Sequence, residues 1–191
     1  SVFPENHSVC DGWIVTGSPH GGYEDHTWIP TVSQLINDIY NANIPIFGVC
    51  FGHQLIAQAL GGRVEKSIKG WGLGLHTYEI NNKADYMGNL SEEVTLNICH
   101  QDQVLEVPEG ATIYARSQFC ENAGFYIKDK VLTMQAHPEF LVDFIKALLN
   151  ARRDVTIPKE FVDPALVKLN SYPDTVQSNQ FAETIRKFFS S

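Results

Sequence analysis

The residue best placed to do chemistry is Cys50, which sits in Gly48-Val49-Cys50-Phe51-Gly52-His53 with a glycine two positions to either side. The run follows an apolar stretch, Ile44-Pro45-Ile46-Phe47, and leads into a helical pattern over residues 51–60. A thiol at such a strand-to-helix turn has the geometry of a nucleophile elbow, because flanking glycines let the backbone turn sharply enough to expose the side chain. The helix N-terminus, aimed at the sulfur, favours thiolate over thiol. On this reasoning Cys50 is expected to be the most reactive of the four cysteines, with a pKa well below the free value of about 8.5. A nucleophile needs a base, and a base needs an orienting partner. A second segment, Lys130-Val131-Leu132-Thr133-Met134-Gln135-Ala136, reads as a buried strand ending in His137-Pro138-Glu139. Residues two apart in extended chain face the same side, so Glu139 can hold the His137 ring while His137 takes the thiol proton.

These residues must be carried by an alternating frame. Residues 12–16 read as an apolar strand of the parallel kind. Residues 27–43 place Trp28, Val32, Leu35, Ile36, Ile39 and Tyr40 on one helical face, and residues 44–49 form the next buried strand. Gly61-Gly62 ends the elbow helix. From residue 63 to 131 the pattern changes to shorter strands at 74–80, 94–99, 111–116 and 124–128, the last turning at Asp129 into 130–136. Helices resume at 141–152, followed by 159–170 and 176–189, the last two separated by Tyr172-Pro173-Asp174. The stripe Phe181, Ile185, Phe188 and Phe189 suits packing better than ligand binding.

The run from Gly48 to Gln54, the pair Gly61-Gly62, and Gln135-Ala136-His137-Pro138-Glu139 together resemble the class I (triad) glutamine amidotransferases of the stand-alone, GMP-synthase-like kind. The similarity covers about residues 11–140. The resemblance implies a flavodoxin-like α/β fold, a doubly wound and mostly parallel sheet with a strand-rich insertion. Residues 1–152 would form the amidotransferase-like domain and residues 153–191 a helical extension of it. It further implies Cys50 as nucleophile, His137 as base, Glu139 as orienting acid, and Gln54 at the glutamine site. Backbone amides of Phe51 and Ser18 would bind the oxyanion, Ser18 following Gly17 where many members have two glycines. His100 and Gln101, in a His-Gln-Asp segment after a strand, match a region close to the substrate. The implied reaction is attack on the side-chain amide of glutamine or a related γ-glutamyl compound, through a γ-glutamyl thioester, releasing ammonia and glutamate. Alternatives are a γ-glutamyl peptidase acting on glutathione-like compounds, and a catalytically silent binding scaffold. A synthetase partner could accept the ammonia. The family also places a strand-helix-strand unit ahead of Asp11, for which ten residues are too few.

Composition narrows the partners. Fourteen Lys and Arg stand against 22 Asp and Glu, a formal net charge of −8, and no basic run stands out, which argues against nucleic acid. At 191 residues and 43% hydrophobic content the chain suits one globular core, with no stretch long enough to span a bilayer. Cys10, Cys50, Cys99 and Cys120 are scattered without C-x-x-C spacing, and the seven histidines show no H-E-x-x-H pattern. No metal and no cofactor are expected, and a thiol nucleophile suits the reducing cytoplasm. The loop over residues 19–26 is polar and Gly-rich, with lid or plain solvated loop as readings. Trp71 suits either the pocket rim or a core gap.

Overall fold

The computed structural model describes residues 3, 4, 6–171 and 177–191. The break at residues 172–174 and the helix start at 176 lie outside the described residues. Among the described residues, nine strands and five α-helices follow one another: β1 (Trp13–Val15), α1 (Ile29–Asn41), β2 (Ile46–Val49), α2 (Phe51–Ala59), β3 (Arg63–Lys66), β4 (Gly72–Ile80), β5 (Glu93–His100), β6 (Asp102–Glu106), β7 (Thr112–Arg116), β8 (Gly124–Ile127), β9 (Val131–Met134), α3 (Val142–Arg152), α4 (Lys159–Ser171) and α5 (Ser178–Phe188). Seven strands form one sheet in the order β1-β2-β9-β8-β7-β4-β5, and β3 pairs with β6 separately.

The sheet is mixed rather than mostly parallel. β1, β2 and β9 run parallel, whereas β9-β8, β8-β7, β7-β4 and β4-β5 are antiparallel. Apart from the β3-β6 pair, the insertion does not form its own layer. Its hairpins continue the hydrogen-bond ladder of the parallel strands, which covers an edge that would otherwise stay open. β1 stands at one end of the sheet, and its Ile14 is 58% exposed.

The apolar runs have the periodicity of strands buried on both faces. In β2, Ile46 packs beneath α1 and α2 with Ile36, Ile39 and Leu55, while Phe47 and Val49 point the other way. That second face is closed by α5, whose Phe181 and Phe188 are buried against it, so the stripe is packing as expected. α3 and α4 cover Leu73 and Leu75 of β4 in a third cluster. Pro164 lies inside α4, where it removes one helical donor. The missed pair β3-β6 has little apolar signature, only Val64 of its first strand being buried. Its register sets Lys66 opposite Asp102. No helix among the described residues is long and apolar enough to cross a membrane.

Candidate active site

The elbow is built by close approach. A methyl group on Gly52 would lie 2.0 Å from the Val15 carbonyl oxygen, and one on Gly48 would lie 2.6 Å from Ile56 Cδ1. Only glycine lets α2 sit this tightly on β1 and β2. Between them Cys50 takes φ 51° and ψ −103°, a strained conformation for a residue with a side chain. Its N–H donates to the Met134 carbonyl at 2.9 Å, which ties the elbow to the end of β9.

Beyond β9 the chain carries His137, whose Nδ1 lies 2.7 Å from Glu139 Oε1. A carboxylate there accepts the Nδ1 proton and leaves Nε2 free to take another. The ring also stacks on Phe140, 3.8 Å between centroids and 6° between planes. The His137 N–H donates to Asn97 O at 2.8 Å, and Asn97 Nδ2 donates to Phe140 O at 2.9 Å, so β5 clasps the segment. The loop after β1 runs past both Cys50 and His137. A methyl at Gly17 would stand 3.0 Å from His137 Cε1, 3.8 Å from its Nε2 and 4.0 Å from Cys50 Cβ. The Cys50 and His137 side chains therefore flank the same point of backbone.

Cys50 opens on two cavities. The first is polar, bordered by Ser18, His20, Tyr23, Gln54, Lys66, Trp71, Gln101, Asp102 and Arg152. The second is lined by Gly17, Ser18, His137, Glu139, Phe140, Phe144, Leu148 and Arg152. All residues anticipated from sequence border one or the other except Phe51, which is buried and offers only its backbone amide.

Two of them hold the site rather than face it. Gln54 Nε2 donates to the Asp102 carbonyl at 2.9 Å and to Gln135 Oε1 at 3.2 Å, using both of its protons. His100 donates from Nδ1 to that same carbonyl at 2.9 Å, and its Nε2 is sealed from solvent. Burial pushes the His100 pKa down to about 3, so the ring is neutral at physiological pH. The Asp102 carboxylate in turn accepts from the Tyr23 hydroxyl at 2.9 Å. Burial and that acceptor push the Tyr23 pKa up to about 12.

The thiol reverses the expectation. Burial, reinforced by Cys99 and by the Glu139 and Asp102 charges, pushes Cys50 up to about 12, although the Phe51 amide pulls the other way. A helix N-terminus offers about half a charge and at most ~2 kcal/mol, less than desolvation of a thiolate at the floor of a cavity. The resting site thus holds a neutral thiol. Sequence reasoning missed Tyr23, Lys66, Asn97 and Arg152, which arrive from a loop, two sheets and a helix end and share no local pattern.

The Cys50 elbow and the carboxylate-held His137 both lie against Gly17. The class-I glutamine amidotransferase family model matches residues 3–145. The chain belongs to that family. It is 34% identical over 175 residues to gamma-glutamyl peptidase 3 of Arabidopsis thaliana, covering 85% of this chain and 69% of that protein. With gamma-glutamyl peptidase 4 of the same plant it shares 39% over 150 residues, 75% of this chain and 60% of the relative. The chain thus spans between three fifths and seven tenths of these relatives. A solved glutamine amidotransferase of Thermotoga maritima superposes with a TM-score of 0.79 at 23% identity, covering 93% of this chain and 78% of that one, which establishes the fold.

Proposed function

We propose that this chain hydrolyses γ-glutamyl amides, with Cys50 as nucleophile, His137 as base and Glu139 as its orienting acid. The observation that carries the reading is the 2.7 Å His137–Glu139 pair beside the strained Cys50 elbow. Because the resting thiol is neutral, proton transfer to His137 Nε2 accompanies attack on the amide carbon rather than preceding it. The amides of Phe51 and Ser18 bind the oxyanion. His137 then returns the proton to the leaving nitrogen, giving a γ-glutamyl thioester and an amine, and activates water to free glutamate. The polar cavity takes the glutamyl end, with Lys66 and Arg152 for its carboxylate and Asp102 for its ammonium. No cofactor takes part.

A peptide substrate is favoured over free glutamine by the second cavity. Ammonia needs no room beyond the scissile bond, whereas Phe140, Phe144 and Leu148 offer apolar surface on that side. The names of the two plant relatives agree with this. A synthetase that takes up ammonia is the partner if glutamine is the better substrate. Four free cysteines suit a reducing, cytoplasmic setting.

The test supplies purified protein with glutamine and with γ-glutamyl peptides and measures ammonia, amine and glutamate. Release of glutamate from peptides at a higher kcat/KM than from glutamine is expected. Binding of these compounds without any release, unchanged in Cys50→Ser, would make the pocket a silent binding module.

A further inference from the structure

The loop between β1 and α1 brings together two histidines and a carboxylate. One ligand atom from each of His20, Glu24 and His26 lies within 4.8 Å of the other two. Glu24 Oε2 stands 3.3 Å from His20 Nδ1 and 2.8 Å from His26 Nε2. A tetrahedral zinc ion with bonds of 2.0–2.2 Å sets its ligand atoms about 3.3 Å apart, so two of the three edges are already near that spacing. The backbone holds this arrangement through turns, Glu24 N–H to Gly21 O at 3.1 Å and His26 N–H to Glu24 O at 2.9 Å. The His26 ring stacks on Trp28 at 6.0 Å and 16°, which fixes its plane. His20 and Glu24 are solvent-accessible, at 42% side-chain exposure each, so an ion has a path in. The net charge of −8 makes the surface hospitable to a cation.

We propose that His20, Glu24 and His26 form a binding site for a divalent metal ion of the zinc class. Two imidazoles and a carboxylate are borderline donors, suited to Zn²⁺ and poorly suited to Ca²⁺ or Mg²⁺, which take oxygen ligands alone. Three protein ligands leave a fourth position for water. The H-x₃-E-x-H spacing escapes a search for helical H-E-x-x-H or paired cysteines because the ligands are gathered by a looped backbone. The ion would clip residues 20–26 into one conformation at the rim of the polar cavity, whether or not the chain hydrolyses anything.

Co²⁺ and Zn²⁺ titrations of the metal-free chain test this, since Co²⁺ reports its ligands by absorption. The expected result is one Co²⁺ per chain with visible d–d bands, no thiolate-to-cobalt charge-transfer band, and displacement by Zn²⁺. His20→Ala, Glu24→Gln and His26→Ala should each weaken binding at least about tenfold, with an unchanged melting temperature in the absence of metal. A strong charge-transfer band would place the ion on Cys50 or another cysteine and overturn the proposal. So would affinity equal to wild type in all three variants, or no saturable binding up to about millimolar Co²⁺, which would leave a plain Glu-bridged pair of imidazoles.

Discussion

The two sides of Cys50 are made differently. The polar side is a knotted wall in which one carbonyl, that of Asp102, takes hydrogen bonds from both Gln54 and His100, and the Asp102 carboxylate takes a third from Tyr23. On the aromatic side His137 pairs with Glu139 among Phe140, Phe144 and Leu148, and Phe144 is 51% exposed. Directional bonds specify one ligand shape, whereas an apolar surface tolerates many. The glutamyl end should therefore be read strictly and the leaving amine loosely.

The largest effect should come from Cys50, which borders both sides. Cys50→Ser is expected to lower kcat by about 10³-fold or more toward glutamine and peptides alike, while calorimetry still detects ligand binding. Retained turnover would dissolve the comparison at its centre.

Acid should act through two buried rings, His100 in the polar wall and His53 bonded to Thr133. Burial pushes His53 and His100 down to about 3, against about 6.5 in the unfolded chain. The unfolded state therefore takes up protons first. The stability these rings confer is complete above pH 6.5 and drains as pH falls from there toward 3, at roughly 1–2 kcal/mol per pH unit for each ring at the steepest. Melting temperatures measured from pH 7 to 4.5 should fall, and His53→Gln should flatten the slope. A level profile would mean that these rings charge without unfolding.

Glu139→Ala should reduce kcat about 10²-fold with little change in KM, less than loss of the nucleophile, because Glu139 is half exposed and water can partly replace it. Gln54→Met removes two buried hydrogen bonds and leaves the Asp102 carbonyl with the one from His100. It is expected to cost about 1–3 kcal/mol of stability and raise KM by about tenfold for every γ-glutamyl substrate. The smallest effect belongs to Phe144→Ala, a few-fold loss of kcat/KM confined to peptides with apolar leaving residues, glutamine being untouched. Equal losses on all substrates would show that the aromatic side does not hold the amine.

What could be read beforehand followed the range of the interaction. The elbow, its glycines and the His-Pro-Glu turn are local, and α1, α2, β2 and β9 carry strong apolar periodicity. The short strands β3 and β6 escaped because each buries few apolar residues and finds its partner some forty positions away. Lys66, Asn97 and Arg152 are ordinary residues until the sheets close around them. The antiparallel share of the sheet was hidden because strand signals do not state which edge they join. The raised thiol pKa depends on burial, which no motif displays, and a motif favours the dipole term alone.

The histidine ring is held on several sides: Glu139 binds Nδ1, Phe140 covers a face, and Gly17 leaves about one atom's width beside Cε1. Imidazoles on open surfaces turn about the Cβ–Cγ bond on fast timescales, which puts a carbon where each nitrogen was. Here such a turn would tear Nδ1 from its carboxylate and move the Nε2–Cε1 edge away from its place beside Gly17. In the proposed reaction one nitrogen, Nε2, would therefore serve throughout, accepting from the thiol, giving to the amine and accepting from water in turn. His137 would then be a one-port relay, the direction of each proton step set by what occupies the port.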